Sequence, residues 1–368
     1  MHSGIKIKMD NKKKLLIVNG NQFGYSSGHY FYCKYLAENF TISYICYDRG
    51  LTRLELEGVD VCYVSFRGSK FQRSLRFLKE CIRNSYTIKP DILFVTYFNI
   101  CFLLALFCKS GKTVLDIRTG SLKENKLLRS INNYIVFFQS LFFNRVIILS
   151  ESLRKTLNIS NKKSIVVPLG SEILFTGNHT FDTLNLLYVG TLDDRNISET
   201  IEGLHLFLQN NEGNTIKICY TIIGFGSDSE TFRILKSISE NNMSDFVKFE
   251  GRKYYEELIP SFEQSNIGIV FVPQTPWYDC QPVTKLFEYM LAGMPVIATN
   301  TYENRLMVNE NNGVLINDSA EGFCSGLTNI YDKRNSFNSS EIRKSVESYT
   351  WKNIVNSNLK PYLLKLLH

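Results

Sequence analysis

The feature that most constrains the fold of this chain is a series of short, continuous apolar runs separated by segments of helix length. Runs such as "KLLIVNG" (14–20) and "DILFVTY" (91–97) are rich in Ile, Leu and Val. Continuous runs of this kind are typical of parallel strands buried on both faces. The intervening segments include "GHYFYCKYLAENF" (28–40) and "FQRSLRFLKECIRNSY" (71–86). The alternation therefore predicts a doubly wound α/β sheet.

The same alternation occurs in both halves of the chain. Further strand candidates are "TISYICY", "VDVCYVS", "KTVLDIR", "NRVIILS" and "SIVVP" in the first half, then "LNLLYVG", "TIKICYTIIG", "FVKFEG", "IGIVFVP", "MPVIAT" and "GVLI". A chain of 368 residues is too long for one ordinary core and suits two domains. We predict Rossmann-like domains over 1–170 and 171–352, with a last helix, 353–368, packing back on the first. Because open α/β sheets bind ligands beyond the carboxyl ends of their strands, two facing domains predict a cleft between them.

Two stretches are apolar enough to suggest membrane segments, Ile92–Cys108 and Tyr134–Leu149. Both are shorter than the roughly 20 apolar residues that a spanning helix needs, and polar residues interrupt both. We interpret each as two buried elements in succession, while a contact with one membrane face stays open.

Charge is distributed unevenly along the chain. Residues 1–180 carry 26 Lys and Arg against 12 Asp and Glu, a net of +14, and the remaining residues carry 16 against 23, a net of −7. A basic half indicates a polyanionic partner, whether an anionic membrane, a phosphate-bearing substrate or nucleic acid, unless it is only a solubilising surface. The nine cysteines form no C-x-x-C pair, which favours a reducing cytoplasm and argues against a zinc site.

The segment "PVTKLFEYMLAGMPVIAT" (282–299) predicts an amphipathic helix followed by a strand. Pro282 suits the first helical position, and Gly293 followed by Pro295 suits its end. The predicted core-facing residues are Val283, Leu286, Phe287, Met290 and Leu291. Because the helix follows the strand "IGIVFVP", its N-terminus should lie at the carboxyl edge of the sheet, where unpaired N–H groups can bind phosphate.

The opposite face of this helix carries Thr284, Lys285 and Glu288. A lysine in the first turn is unfavourable for the helix dipole, and an anionic ligand would remove that penalty. Glu288 could accept hydrogen bonds from a diol such as a ribose. The spacing fits equally well a solvated ion pair worth about 0.3 kcal/mol, so the residues alone leave both interpretations open.

This segment resembles the C-terminal signature of glycosyltransferase family 4 (glycosyl transferases group 1), retaining enzymes of the GT-B fold. The family pattern is approximately P-x-K-[LF]-x-E-[AY]-[ML]-A-x-G-x-P-V-[IV], and this chain has one extra residue between Pro282 and Lys285. "LLYVGTLDDRN" (186–196), "YTIIGFGSDSE" (220–230) and the segment 247–273 resemble further family segments in the same order. The likeness covers nearly the whole chain and is most specific in the second half.

The resemblance implies a nucleotide-sugar donor in the second domain. Glu288 would hold the ribose hydroxyls, while Lys285 and Arg195 would act in catalysis by neutralising the leaving diphosphate. Gly190 and Thr284 would lie beside the donor. Two cations and a helix N-terminus can replace a divalent metal and no DxD motif is present, so neither a metal nor another cofactor is expected.

Gly224 and Gly226 form a G-x-G turn, but Ser229 stands where a dinucleotide fingerprint has its third glycine. In the family context they would let the backbone approach the base or ribose; a tight strand–helix turn explains them equally well. A helix is predicted to begin at Ser227, with Glu230 completing a capping box.

In the first domain, Gly24 and Gly28 flank a small-residue turn ahead of a helix, and the resemblance favours Gly28 as a donor-phosphate neighbour. His29 is expected on the helix surface. Asp116, at the end of the fifth strand, is the candidate that orients the acceptor hydroxyl in catalysis, although with Arg118 it also fits a structural ion pair. The end of the preceding strand adds two acceptor-side candidates, Tyr97 and Asn99.

One position departs from the family pattern. Many members carry a second glutamate eight residues before the ribose-binding one, and Cys280 stands there, with Asp279 beside it. Either Asp279 contacts the donor sugar or the sugar is recognised differently.

The resemblance thus implies a retaining glycosyltransferase that moves a hexose-type sugar from a nucleoside-diphosphate donor to a glycan or polyprenyl-diphosphate-linked acceptor, in surface polysaccharide synthesis. It would be cytoplasmic or peripheral on the inner membrane face, with an anionic membrane surface as a partner and without nucleic acid. The alternatives are a non-catalytic GT-B subunit that binds sugar nucleotides and a GT-B sugar-nucleotide 2-epimerase.

Overall fold

The computed structural model describes residues 12–211 and 217–368, which fall into two compact units. The first unit extends to Gly120 and resumes at Leu127–Val167 and Ile354–His368. The second unit comprises Ser121–Lys126 and Pro168–Asn353. Each unit contains one parallel sheet with helices in its strand connections.

The sheet of the first unit has seven strands. They are β1 (Lys13–Val18), β2 (Phe40–Asp48), β3 (Val59–Ser65), β4 (Ile92–Thr96), β5 (Lys112–Ile117), β6 (Arg145–Ile148) and β7 (Ser164–Val166). Their spatial order is β3-β2-β1-β4-β5-β6-β7, and all the pairs are parallel. Strands β1, β4 and β5 occupy the centre, where both faces are covered, which explains why their sequences are continuous apolar runs.

Five helices connect these strands: α1 (Ser27–Leu36), α2 (Lys70–Ile88), α3 (Phe102–Phe107), α4 (Lys126–Ser140) and α5 (Glu151–Thr156). Helix α2 begins with a capping box, in which Ser69 accepts a hydrogen bond from the Gln72 N–H and the Gln72 side chain accepts one from the Ser69 N–H.

The sheet of the second unit has six strands. They are β8 (Leu184–Thr191), β9 (Ile218–Phe225), β10 (Val247–Gly251), β11 (Ile267–Val270), β12 (Val296–Thr299) and β13 (Gly313–Ile316). The order is β10-β9-β8-β11-β12-β13, again with parallel pairs throughout. Successive strands are therefore added to one side from β8 to β10 and to the other side from β11 to β13, so the strand order reverses between β8 and β11.

The helices of the second unit follow in chain order. They are α6 (Ser198–Asn210), α7 (Asp228–Glu240), α8 (Ile259–Gln264), α9 (Thr284–Leu291), α10 (Tyr302–Arg305), α11 (Ala320–Lys333), α12 (Ser339–Ser345) and α13 (Trp351–Ile354), with short 3-10 helices at Tyr255–Leu258, Arg334–Ser336 and Glu347–Tyr349. The chain ends with a π-helical turn, Val355–Leu359, and α14 (Lys360–Lys365). The π-helical turn packs against α1 within the first unit.

All thirteen predicted strands are present, and most begin or end within two residues of the predicted limits. The start of the predicted "TIKICYTIIG" strand, residues 215–216, lies outside the described residues. Each membrane-like stretch is two elements in succession, β4 followed by α3 and α4 followed by β6, as predicted. The prediction that these elements are all buried is wrong for the two helices, because Phe107 on α3 and Tyr134 and Phe138 on α4 are exposed. Among the residues described, no helix combines the length and hydropathy needed to cross a bilayer.

The predicted capping box of α7 is wrong. Ser227 is the N-cap residue, but its side chain makes no capping hydrogen bond. Its hydroxyl instead donates to the Asp193 carboxylate at 2.7 Å, and its N–H donates to the same oxygen at 2.8 Å. Asp193, from the loop after β8, therefore accepts both hydrogen bonds of Ser227 at the start of this helix. These two bonds lower the pKa of the Asp193 carboxyl.

Candidate active site

The second sheet reverses its strand order between β8 and β11, and a cavity of about 300 Å³ lies at the carboxyl ends of these two strands. Its lining in the sheet and the loops that follow is Tyr188–Thr191, Arg195, Ile269–Val272, Tyr278 and Gln281–Lys285. Such a reversal is where open α/β sheets bind ligands. The cavity brings together four of the predicted site residues, Gly190, Arg195, Thr284 and Lys285.

Helix α9 contributes its first turn to the cavity. It begins at Thr284, two residues later than predicted, after an extended N-cap at Val283 that makes no side-chain capping bond. The predicted core positions are buried or packed against the core. On the opposite face Glu288 is also buried, and Thr284 and Lys285 are partly buried where they line the cavity. The helix therefore lies in the core rather than on the surface, and the solvated ion pair is the wrong interpretation of its polar residues.

Lys285 and Glu288 form an ion pair through Nζ and Oε2. The Glu288 side chain is 8% exposed and that of Lys285 is 22% exposed, so the carboxylate is the more deeply buried partner. Burial, followed by the negative charge of Glu288, raises the pKa of Tyr255. This site thus holds a buried carboxylate that one cation, itself facing the cavity, neutralises.

Tyr289 fixes the position of α9 against the sheet. Its hydroxyl accepts a hydrogen bond from the Val189 N–H at 2.8 Å, at the end of β8. Its ring lies directly over Gly268 in β11, where an added Cβ would come within 2.3 Å of Tyr289 Cγ. Sequence reasoning did not identify either residue; the only available signal was a glycine inside a buried strand.

Arg195 enters the cavity from the loop after β8. Its neighbours Asp194 and Asn196 both adopt left-handed backbone conformations, with φ of 56° and 52°. Arg195 donates to the Tyr278 hydroxyl, and its guanidinium lies 4.5 Å from the centroid of the Tyr278 ring. Two sparsely populated backbone conformations and one aromatic partner therefore hold this cation in place.

The glycines of the site are required by close approaches of the protein to itself. A Cβ on Gly190 would lie 2.9 Å from the Tyr188 hydroxyl, which donates to the Thr191 carbonyl at 2.6 Å. A Cβ on Gly224 would lie 2.4 Å from the Gly190 carbonyl oxygen, and one on Gly226 would lie 2.9 Å from Leu192 Cβ. These contacts support the tight-turn interpretation of the G-x-G.

The two residues at the departure from the family pattern have structural contacts. The Asp279 carboxylate accepts a hydrogen bond from the Tyr302 N–H at 2.6 Å, at the start of α10. Cys280 is buried. Neither residue belongs to the lining of the cavity.

A second polar cluster lies in the first unit, at the carboxyl ends of β4 and β5. His29 Nε2 is 2.9 Å from Asp116 Oδ2 and 2.7 Å from Thr96 Oγ1, and its Nδ1 is 2.9 Å from Ser26 Oγ. His29 is 3% exposed, so its predicted place on the helix surface is wrong. The reason is that α1 turns this edge of its first turn toward β5.

Asp116 is fully buried and lies 3.7 Å from the Arg118 guanidinium through its other oxygen. Arg118 also donates to the Tyr32 hydroxyl at 2.9 Å and to the Val167 carbonyl at 3.3 Å. The predicted direct contact of Asp116 with an acceptor hydroxyl is not available to a side chain with no exposed surface. The structural ion pair, extended by His29, is the arrangement that the structure shows.

Three other residues predicted in the first unit are placed as follows. Gly28 is the second residue of α1 rather than part of the turn before it. Tyr97 and Asn99 follow β4, where the Tyr97 hydroxyl donates to Asn99 Oδ1 at 3.3 Å. Burial raises the pKa of Tyr97 to about 12, so this hydroxyl keeps its proton.

The sequence of the second unit matches a known family. The family model described as Glycosyl transferases group 1 matches residues 183–333, which span β8 to α11 and all the predicted site residues of this unit. The chain is a glycosyltransferase. Residues 183–333, which are similar to the group 1 family, are called its group 1 domain. No curated protein matches the sequence significantly.

Solved structures show that this glycosyltransferase has the GT-B fold. Sucrose-phosphate synthase from Thermosynechococcus elongatus is 15% identical with a TM-score of 0.75, covering 96% of this chain and 99% of its own. Anabaena HepE in complex with UDP and glucose is 11% identical with a TM-score of 0.74, covering 96% and 100%. The lipopolysaccharide outer core galactosyltransferase WaaB is 14% identical with a TM-score of 0.67, covering 96% and 99%.

The geometry of the group 1 domain suits an anionic ligand with hydroxyl groups. Arg195 and Lys285 supply two cations, the first turn of α9 supplies N–H groups, and Glu288 supplies a hydrogen-bond acceptor one turn further on. Within the described ranges, no cluster of three His, Cys, Asp or Glu side chains could hold a metal ion.

Proposed function

We propose that this glycosyltransferase moves a hexose-type sugar from a nucleoside-diphosphate donor to a glycan or lipid-linked acceptor, with retention of the anomeric configuration, in the synthesis of a surface polysaccharide. The observation that carries the proposal is the cavity at the strand reversal of the group 1 domain, where Arg195 and Lys285 face the same space and Lys285 is paired with the buried Glu288.

The cavity residues and Glu288, which pairs with Lys285, divide the donor between them. Lys285 and Arg195 contact the diphosphate, and Glu288 accepts hydrogen bonds from the ribose hydroxyls. When the diphosphate attracts the Lys285 ammonium, the Glu288 carboxylate gains hydroxyl donors in exchange, so neither charge is left buried and unpaired. The first turn of α9, which begins at Thr284, adds its backbone N–H groups. Support comes from HepE, whose solved complexes contain UDP and UDP-glucose.

The two cations act mainly in the transition state. As the bond between the sugar and the diphosphate lengthens, negative charge develops on the leaving oxygen, and fixed positive groups stabilise it most when they need no reorganisation. Arg195 meets this condition because its loop and Tyr278 hold it in place. In this proposal the protein needs no metal, and the departing phosphate accepts the acceptor proton on the same face of the sugar.

The first unit receives the acceptor. Asp116 acts there as a positioning residue, because its buried carboxylate fixes His29 and Arg118 rather than touching substrate. Gly28 lies in the first turn of α1, beside His29. The net charge of +14 over residues 1–180 favours a polyprenyl-diphosphate-linked acceptor and an anionic membrane surface as partners, and hence a place on the cytoplasmic membrane face.

A thermal-shift panel of nucleoside diphosphates and their hexose derivatives tests donor binding, beginning with UDP and UDP-glucose. We expect one base to raise the melting temperature of the wild-type protein and to have no effect on Glu288→Ala. The matched control is Glu240→Ala, which removes an exposed carboxylate that pairs with Lys236 on α7. A panel without any stabilising nucleotide would contradict the proposal, and donor turnover in the absence of an acceptor would favour a 2-epimerase.

A further inference from the structure

Helix α4 turns its apolar side outward. Six large residues at i, i+4, i+7, i+8, i+11 and i+14 form one stripe, which continues to the first residue after the helix: Leu127, Ile131, Tyr134, Ile135, Phe138 and Leu141. Their exposed fractions lie between 41% for Ile135 and 69% for Leu127. An ordinary surface helix places such residues toward the core, so this orientation needs an explanation.

Polar contacts on the inner side fix the orientation of α4. Gln139 and Ser140 are buried there beside Val136. The Gln139 side chain donates to the Tyr97 hydroxyl at 3.3 Å and accepts from the Phe102 N–H at 3.4 Å. Rotating the helix to bury its apolar stripe would break these bonds and leave the polar groups unsatisfied. The outward stripe is therefore a property of the folded unit.

The apolar surface continues from α4 onto α3. The Phe138 ring lies 5.4 Å from the Phe142 ring, which lies 5.0 Å from the ring of Phe102, the first residue of α3. Leu106 and Phe107, at the end of α3, are 53% and 55% exposed. Two neighbouring helices thus present apolar and aromatic side chains to solvent.

The charged residues of α4 and of the segment that follows it are all basic. Residues 125–150 include Lys126, Arg129 and Arg145 and no acidic residue. Beyond the end of α4, the Lys163 ammonium donates to the Leu141 carbonyl at 2.9 Å. Arg145 lies near Lys163, so two basic side chains stand at this end of the stripe. Burial, followed by the charge of Arg145, lowers the pKa of Lys163. A second copy of the chain would bring like charges together, whereas an anionic lipid surface would neutralise them.

We propose that the outer face of α4, with the end of α3, is an interfacial docking surface for an anionic phospholipid bilayer. The helix lies in the plane of the headgroups, its apolar stripe enters the upper acyl region, and the cations at its ends meet lipid phosphates. Tyr134 has the amphipathic ring that favours this boundary. The choice of an anionic membrane rests on the proposed function, whereas lipid binding by this surface is independent of the donor and of sugar transfer.

Flotation of the full chain with vesicles tests the surface. The vesicles contain phosphatidylcholine alone or phosphatidylcholine mixed with phosphatidylglycerol. We expect the wild-type protein to float only with the anionic vesicles, and the variants Tyr134→Ser and Phe138→Ser each to lower partitioning about ten-fold. The Tyr134 side chain is 65% exposed and the Phe138 side chain is 45% exposed, so neither substitution should change the melting temperature.

The control is a pair of substitutions on α7, Phe232→Ser and Leu235→Ser. These side chains are 66% and 49% exposed on a helix that also carries Asp228, Glu230 and Glu240, and their loss should leave flotation intact. Equal flotation of the α4 and α7 variants would overturn the proposal. So would a wild-type dimer in solution that becomes a monomer in Phe138→Ser without any lipid effect, because the stripe would then bind a second copy.

Discussion

The ammonium of Lys285 and the carboxylate of Glu288 pair one turn apart on α9, with the carboxylate the more deeply buried of the two. This arrangement makes the two partners unequal. A lysine left alone can extend its flexible stem toward the cavity, whereas a glutamate left alone keeps its charge inside the protein.

Lys285→Ala should therefore cost more stability than Glu288→Ala. We expect the loss of Lys285 to lower the free energy of unfolding by about 3 kcal/mol and the loss of Glu288 by about 1 kcal/mol. Urea denaturation measures both. The double variant Lys285→Met with Glu288→Gln should recover most of the stability and still fail to bind a nucleoside diphosphate. Recovery of binding together with stability would show that the pair is only structural.

Arg195→Met should reduce the turnover number by about 100-fold, because the variant removes a cation from the leaving diphosphate. Tyr278→Phe should have a much smaller effect, since the ring that lies 4.5 Å from the guanidinium remains and only the hydroxyl partner is lost. Steady-state kinetics with the donor identified in the thermal-shift panel measures both. An Arg195→Met enzyme with a raised KM and an unchanged kcat would place this cation in ground-state binding alone.

Gly224→Ala should destabilise the second unit strongly. The new methyl group would meet the backbone carbonyl of Gly190 at 2.4 Å, and a backbone atom in a central strand pair has little room to move. The matched control is Gly20→Ala, where the nearest atoms, in the Tyr47 ring, lie 4.0 Å away. We expect a fall of about 2 kcal/mol for the first substitution and almost none for the second, and thermal melting distinguishes them.

Asp116→Asn should lower the stability of the first unit by about 2 kcal/mol, because Arg118 and His29 lose a buried charged partner. Asp60→Asn, at an exposed position in β3, is the control. A positioning role predicts that activity and melting temperature fall together and that Arg118→Lys reproduces part of both losses. If Asp116→Asn lost activity at an unchanged melting temperature, a direct catalytic contact would be restored.

His179 should make the stability of the second unit depend on pH. Burial, aided by the nearby Arg343, holds its pKa below the ordinary value of 6.5, while its Nε2 donates to the Ala292 carbonyl at 3.0 Å. The unfolded chain then binds more protons than the folded one below about pH 6.5, so stability should fall as the pH drops below this value. In His179→Gln the slope of melting temperature against pH between 5.5 and 7.5, about one unit on either side of that pKa, should be shallower. An identical slope in both proteins would contradict this assignment.

The sequence predicted the residues of the cavity in the group 1 domain better than the cluster of the first unit. Lys285, Glu288 and Arg195 stood in motifs with a fixed place relative to a strand end, and strand ends of one parallel sheet meet at one edge. His29 carried no such signal, because a histidine at the start of a helix is buried or exposed according to which neighbour packs against that turn.

The sequence by itself determined the strands, their parallel pairing and the division into two α/β halves, because continuous apolar runs can be buried only in the centre of a sheet covered on both faces. Only the tertiary structure decided which side of each helix faces inward. Glu288 on the polar side of α9 is buried because Tyr289 holds that helix against β8 and β11. The apolar side of α4 faces outward because Gln139 forms hydrogen bonds with α3 and Tyr97. Periodicity defines the faces of a helix, but the contacts of its neighbours choose between them.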